Sequence, residues 1–189
     1  MRENSALHLM TLNLGRAKPA FMTTAALKKM IRDVPDFPKP GIMFKDISPL
    51  LKSTEALQSV LQAFGKSCDM NKVDAFVGIE SRGFIFAGLC AAHFKKGFIP
   101  LRKAGKLPPP VLGESYQLEY GSATLEMSPG QGRVMILDDV LATGGTLKAA
   151  ISICDKAGYQ VEQVGVLIDL TFLNQLTFKG QKIFSVLQY

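Results

Sequence analysis

The sequence predicts an α/β fold: a single domain in which a parallel, twisted sheet is flanked by helices. Two observations carry this expectation. Apolar runs at residues 73–79, 134–137 and 164–168 lack the alternation of a half-exposed strand, as strands buried on both faces do. Segments of helical periodicity, ten or more residues long, separate them, which is the pattern of strands joined by crossover helices. With 189 residues and 47% hydrophobic content, the chain suits one compact core.

Residues 1–21 show little periodicity and scattered Arg2, Arg16 and Lys18, so they read as a poorly ordered extension or vector-derived leader before a domain at 22–189. Ala26, Leu27, Met30 and Ile31 then recur at helical spacing, in a helix expected to stop before Pro35. Residues 36–47 hold two prolines and a glycine followed by an apolar half, a stiff loop suited to walling a pocket. Thr54 offers a cap for a helix with Leu57, Val60, Leu61 and Phe64 on one face. The first central strand, 73–79, ends in Glu80-Ser81-Arg82-Gly83 and leads into a buried helix at 84–94. A short strand at 98–101 precedes a basic loop and three prolines. Tyr116, Leu118 and Tyr120 alternate with polar residues, and Gly121-Ser122 is a candidate two-residue turn into a returning strand at 124–127. The last strand reads at 184–189.

Most of the chemistry is concentrated after the strand at 134–137. Asp138 and Asp139 fall at its carboxyl end, where open α/β sheets bind ligands. Ala142, Thr143, Gly144, Gly145 and Thr146 follow: two glycines able to take positive φ, flanked by hydroxyls and opening a helix. Leu147, Ala150, Ile151 and Cys154 mark that helix, and Gly158 stands ready to end it. Such a loop aims backbone N–H groups and a helix dipole at an anion, and the acids beside it suit sugar hydroxyls. Neither a Walker loop nor a G-x-G-x-x-G after a strand occurs.

Composition narrows the class. No apolar run approaches the ~20 residues of a membrane span, and residues 1–21 lack the apolar core of a signal peptide, so a cytoplasmic location is expected. Cys68, Cys90 and Cys154 match no metal or redox spacing and read as reduced core residues. His8 and His93 have no ligand-spaced neighbours. The net charge of +6 gathers partly in one loop, as Arg102, Lys103 and Lys106, which suits a phosphate-rich small molecule better than nucleic acid.

The acids before T-G-G-T resemble the phosphoribosyl-pyrophosphate signature of type I phosphoribosyltransferases. From about residue 35 onward the chain resembles the adenine-specific branch of that family. The marks are Phe37-Pro38-Lys39-Pro40-Gly41, Phe44-Lys45-Asp46-Ile47, Ser81-Arg82-Gly83-Phe84, Arg102-Lys103, Gly105-Lys106-Leu107-Pro108 and Glu114-Ser115-Tyr116-Gln117-Leu118-Glu119-Tyr120-Gly121. The resemblance implies the type I phosphoribosyltransferase fold with an N-terminal base-binding hood and a flexible β-hairpin loop. It also implies a reaction: adenine and phosphoribosyl pyrophosphate give AMP and pyrophosphate, with Mg²⁺ bound through substrate and water rather than a protein cage. It assigns adenine to Met43 and Lys45, pyrophosphate to Ser81, Arg82, Lys103 and Lys106, ribose to Asp138 and Asp139, the 5′-phosphate to Ala142 through Thr146, and proton transfer to Glu119. Arg102 matches a residue that reaches the neighbouring subunit's pyrophosphate, so a homodimer is implied.

The chain departs from the family in two places. Lys45 stands where arginine is common, and the connection between Met127 and Arg133 is short. Glu80 either faces the pyrophosphate site or supports structure. Salvage of another purine base, or a regulator that senses phosphoribosyl pyrophosphate, are the alternative readings.

Overall fold

The structure is a computed structural model that describes residues 21–118 and 121–189. The chain opens with α1 (Thr24–Lys28), β1 (Arg32–Val34), β2 (Phe44–Asp46), α2 (Ser48–Leu51) and α3 (Thr54–Lys66). A 3₁₀ turn (Met70–Lys72) leads to β3 (Ala75–Ile79), α4 (Gly83–Phe94), β4 (Gly97–Lys103), β5 (Leu112–Leu118) and β6 (Gly121–Met127). β7 (Gly132–Leu141), α5 (Gly145–Lys156), β8 (Tyr159–Asp169), β9 (Thr177–Phe178), β10 (Gln181–Lys182) and β11 (Phe184–Gln188) complete it.

Seven strands form the main sheet in the order β11-β8-β7-β3-β4-β6-β5. The first five run parallel, as predicted, and β6 and β5 extend them antiparallel. Both faces are covered. Phe76, Met135 and Leu137 pack with Phe64 of α3 and Phe86 of α4 on one side. Val77, Ile136, Val164 and Val166 meet Leu147 and Ile153 of α5 on the other. Successive residues of one strand thus enter opposite cores, which is why β3 and β7 read as continuous apolar runs. Cys90 and Cys154 lie in these cores and Cys68 is half-buried, all three as free thiols.

Several local readings change. The first helix is one turn shorter than its apolar spacing predicts, because Arg32–Val34 leaves it to pair antiparallel with Phe44–Asp46. That small ribbon is fastened by Arg32, whose Nε and Nη2 both donate to Asp46 Oδ2, at 3.1 and 2.8 Å. Ser53, rather than Thr54, caps α3, its hydroxyl accepting from the Ala56 N–H. In the hairpin Leu118 pairs with Gly121, so Gly121 and Ser122 belong to the returning strand and not to the turn. β7 does not stop at residue 137: it pairs with β3 only as far as Leu137 but stays paired with β8 to Leu141. The carboxylates therefore sit inside β7, in the stretch where β3 has already ended. The expectation for residues 1–21 falls, except for Phe21, outside the described residues.

The helix ending at Gly158 is as predicted. Gly158 has φ +95°, and a Cβ there would run into the Gly130 carbonyl oxygen. Gly158→Ala is expected to lower unfolding free energy by roughly 1–3 kcal/mol or more, since left-handed strain and the backbone contact add. Denaturant titration checks it; a change under ~0.5 kcal/mol would contradict the packing described.

Candidate active site

At the carboxyl ends of β3 and β7 lies a polar cavity of about 580 Å³, walled by Glu80, Ser81, Arg82, Lys103, Asp138, Asp139 and Thr146, with Tyr116 and Ala123 closing it from the hairpin. Sheet topology explains the opening. β3 ends at Ile79 and α4 starts at Gly83, so the three residues between them form the floor beside the exposed flank of β7. The approach is close: a Cβ on Gly83 would lie 2.7 Å from the Leu137 carbonyl oxygen and 3.0 Å from Asp138 Oδ1, so only glycine lets α4 begin this near the carboxylate.

The two acids are buried, at 9% and 6% exposure, and adjacent in sequence. Burial is the main cause that pushes the Asp138 carboxyl well up, and the Asp139 charge adds to it. Burial also raises Asp139, but Arg82 opposes it across a 2.7 Å contact between Nη2 and Oδ2. That contact lacks hydrogen-bond geometry, and Asp139 Oδ2 is a buried acceptor with no hydrogen-bond donor. Asp138 Oδ1 accepts from the Asp139 N–H at 2.9 Å. An acceptor left open in a polar cavity suits a ligand hydroxyl.

The loop after β7 meets its expectation in part. Gly144 takes φ +89°, whereas Gly145 already has helical conformation as the first residue of α5. No side chain caps α5, so its first amide groups face out beside the cavity, next to Thr146. Thr143 is exposed.

A second, more apolar cavity of about 410 Å³ opens under the N-terminal ribbon, lined by Val34, Phe37, Phe44, Ile47 and Leu51. Phe37 and Phe44 meet edge to face, with centroids 5.1 Å apart. Arg82 belongs to both cavities, its guanidinium carbon 4.8 Å from the Phe44 ring centre. The two spaces thus meet at one cation.

Comparison with known proteins places this geometry. Residues 49–171 match the family described as phosphoribosyl transferase domain. The adenine phosphoribosyltransferase of Bdellovibrio bacteriovorus is 61% identical over 163 residues, which cover 86% of this chain and 99% of that one. The chain belongs to the adenine phosphoribosyltransferase family. Among solved family structures, that of the Rhodothermus marinus adenine phosphoribosyltransferase shares 45% identity at a TM-score of 0.79, covering 88% of this chain and 98% of that one. The Giardia lamblia enzyme, complexed with 9-deazaadenine, shares 37% identity at a TM-score of 0.77, covering 89% of this chain and 98% of that one.

Within this family member, Ser81, Arg82, Lys103, Asp138, Asp139 and Thr146 come together as one cavity wall. Arg102 does not line it: its guanidinium donates to both Glu80 oxygens, at 3.0 and 3.3 Å, and to the Lys106 carbonyl at 2.9 Å. The backbone N–H of Lys103 also donates to Glu80, so that acid organises the basic loop and its own carboxyl is held below the usual range by Arg102. Lys106 is likewise absent from the wall. Lys45 points away from the apolar cavity, toward Asp33 at 2.7 Å and the face of Tyr189 at 4.0 Å. Strand alternation is the reason, because Phe44 and Asp46 take the inward positions of β2. Met43 is half-exposed and outside the lining. Glu119 lies outside the described residues. Sequence reasoning did not assign Arg32, Val34, Ile47 or Leu51 to the second cavity; the apolar half of the loop at 36–47 was the available signal.

Asp46 secures that cavity's rim. Hydrogen bonds from Ser48, first its side chain and then its backbone, with Arg32 behind them, hold its carboxyl at about 2. The folded value lies below the unfolded one of about 3.9, so ionised Asp46 stabilises the fold above that pH, and the contribution is lost as pH falls through about 2. Carboxyl-detected NMR titration should find a midpoint near 2 in the wild type, and Ser48→Ala should raise it. A midpoint near 4 in the wild type would contradict the network.

Proposed function

We propose that the chain transfers a 5-phosphoribosyl group from phosphoribosyl pyrophosphate to adenine, releasing AMP and pyrophosphate. The observation that carries this reading is the meeting of two cavities at Arg82, one polar and built around a buried carboxylate pair, the other apolar with an aromatic wall. A sugar bearing anionic groups at both ends fits the first, and a flat purine fits the second. The substrates follow the names of the relatives at 61% and 45% identity.

In this reading the 5′-phosphate sits on the amide groups of Ala142, Thr143, Gly144, Gly145 and Thr146, where an uncapped helix start favours negative charge. Ribose hydroxyls donate to Asp138 and Asp139, and the open acceptor at Asp139 Oδ2 gains its partner. Ser81, Arg82 and Lys103 stand beside the pyrophosphate. The bond from C1′ to the pyrophosphate oxygen breaks as the adenine N9–C1′ bond forms, and N9 gives up its proton. Charge builds on the leaving oxygen, so cations fixed before reaction lower the barrier most. Glu119, directly after β5, is assigned the proton transfer by family resemblance.

Mg²⁺ fits as an ion carried by pyrophosphate oxygens and water, because no cluster of three or more metal-ligating side chains occurs among the described residues. When bound, it would offset charge on the leaving pyrophosphate. Arg102 is assigned by the same resemblance to a neighbouring subunit's site, which makes the working unit a homodimer. The free thiols of Cys90 and Cys154, buried in the two cores, agree with a reducing cytoplasmic setting.

Purified protein incubated with Mg²⁺, phosphoribosyl pyrophosphate and each nucleobase in turn should form AMP and pyrophosphate in equal amounts from adenine. Glu119→Gln should lower kcat by about 10²-fold or more with little change in melting temperature. Conversion of another base with no AMP from adenine would overturn the assignment.

A further inference from the structure

β5 is the edge strand of the sheet. It pairs only with β6, and β6 joins the parallel strands only through Arg102 and Lys103 opposite Glu126 and Leu125. Backbone pairing alone therefore holds the hairpin to the domain at a short seam. One polar side chain ties the far strand to the body. Glu114 turns from β5 onto α5, where Oε1 accepts from the Ser152 hydroxyl at 2.9 Å and Oε2 from the Lys156 ammonium. Glu114 is 19% exposed, whereas Lys156 is 58% exposed.

The position of this tie matters for the cavity. Tyr116 is two residues along β5 from Glu114, on the same face, and lines the polar cavity. α5 begins with Gly145 and Thr146, which sit at the cavity's opposite side. A link between β5 and α5 thus fixes the separation of the hairpin wall from the helix start that faces the phosphate. We propose that Glu114 is a positioning residue, a latch that docks the hairpin on α5 and so sets the geometry of the polar cavity. The inference rests on the transfer reaction proposed above. Ser152 and Lys156 hold the Glu114 carboxyl below its usual range, in keeping with a made contact. Because Lys156 is largely in water, the ion pair is weak. The latch biases the hairpin toward the docked state and lets it leave.

Hydrogen exchange of the substrate-free protein reads the latch without reference to catalysis. Glu114→Lys and Lys156→Glu should each speed exchange at residues 112–118 and 121–127 several-fold, leaving β3 and β8 unchanged. The double variant, with the charges swapped, should recover most of the protection. In the AMP-forming assay, each single variant should lose about tenfold in kcat/KM, with partial recovery in the swap and little change in melting temperature. Glu114→Gln keeps an acceptor for Ser152 and should lie between wild type and Glu114→Lys. Unchanged hairpin exchange in both single variants, or no recovery in the swap, would overturn the latch. Absence of AMP formation by the wild type would instead overturn the reaction on which it rests.

Discussion

Two carboxylates side by side in a protein interior repel each other and lose their hydration, and the arrangement around Asp138 and Asp139 depends on how that cost is met. Arg82 supplies the counter-charge at 2.7 Å from Asp139. It is delivered there by the turn between β3 and α4, so the strand length of β3, the glycine at 83 and the start of α4 all follow from one electrostatic demand. The compensation is incomplete, since Asp139 Oδ2 keeps an open acceptor and Asp138 is pushed toward its neutral form. A site left short of donors in the free protein is one whose ligand can supply them.

The sheet turns that demand into shape. β8 continues beside β7 to Leu141 and keeps the backbone of both aspartates paired, while β3 stops short and exposes their other side. α5 then starts without a side-chain cap within the same cavity wall, which sets an anion-attracting dipole next to hydroxyl-seeking carboxylates. Arg82 reaches from this space to the Phe44 ring, so polar and apolar compartments are neighbours through a single side chain. Glu80 plays a matching part on the opposite wall. By holding Arg102 and the Lys103 backbone it brings the Lys103 side chain to the cavity.

The parallel core was legible because residues buried on both faces leave unbroken apolar runs, and the loop at Ala142 to Thr146 because its glycines, hydroxyls and preceding acids coincide. What sequence left open is tertiary. The direction of Lys45 depends on the pleat of β2 and on a partner at Asp33, twelve residues away, and on the ring of Tyr189 at the other end of the chain. Arg102 and Lys103 are neighbours of like charge, yet strand alternation and Glu80 send only Lys103 to the cavity. The first helix yielded to a strand because Arg32 found Asp46, a pairing that propensity cannot anticipate. The turn of the hairpin moved because register, fixed along all of β5 and β6, outweighed the local turn preference of Gly121 and Ser122.

The claim at the centre is that the aspartate pair serves a ligand and not the fold. Calorimetric titration of Mg²⁺–phosphoribosyl pyrophosphate into wild type and Asp139→Asn tests it directly, with thermal unfolding of both proteins alongside. The account predicts affinity weakened by about tenfold or more, through the loss of an acceptor that ribose hydroxyls use, and melting temperatures within a few degrees of each other. Equal affinity in the two proteins, or a variant that binds poorly because it no longer folds, would contradict it.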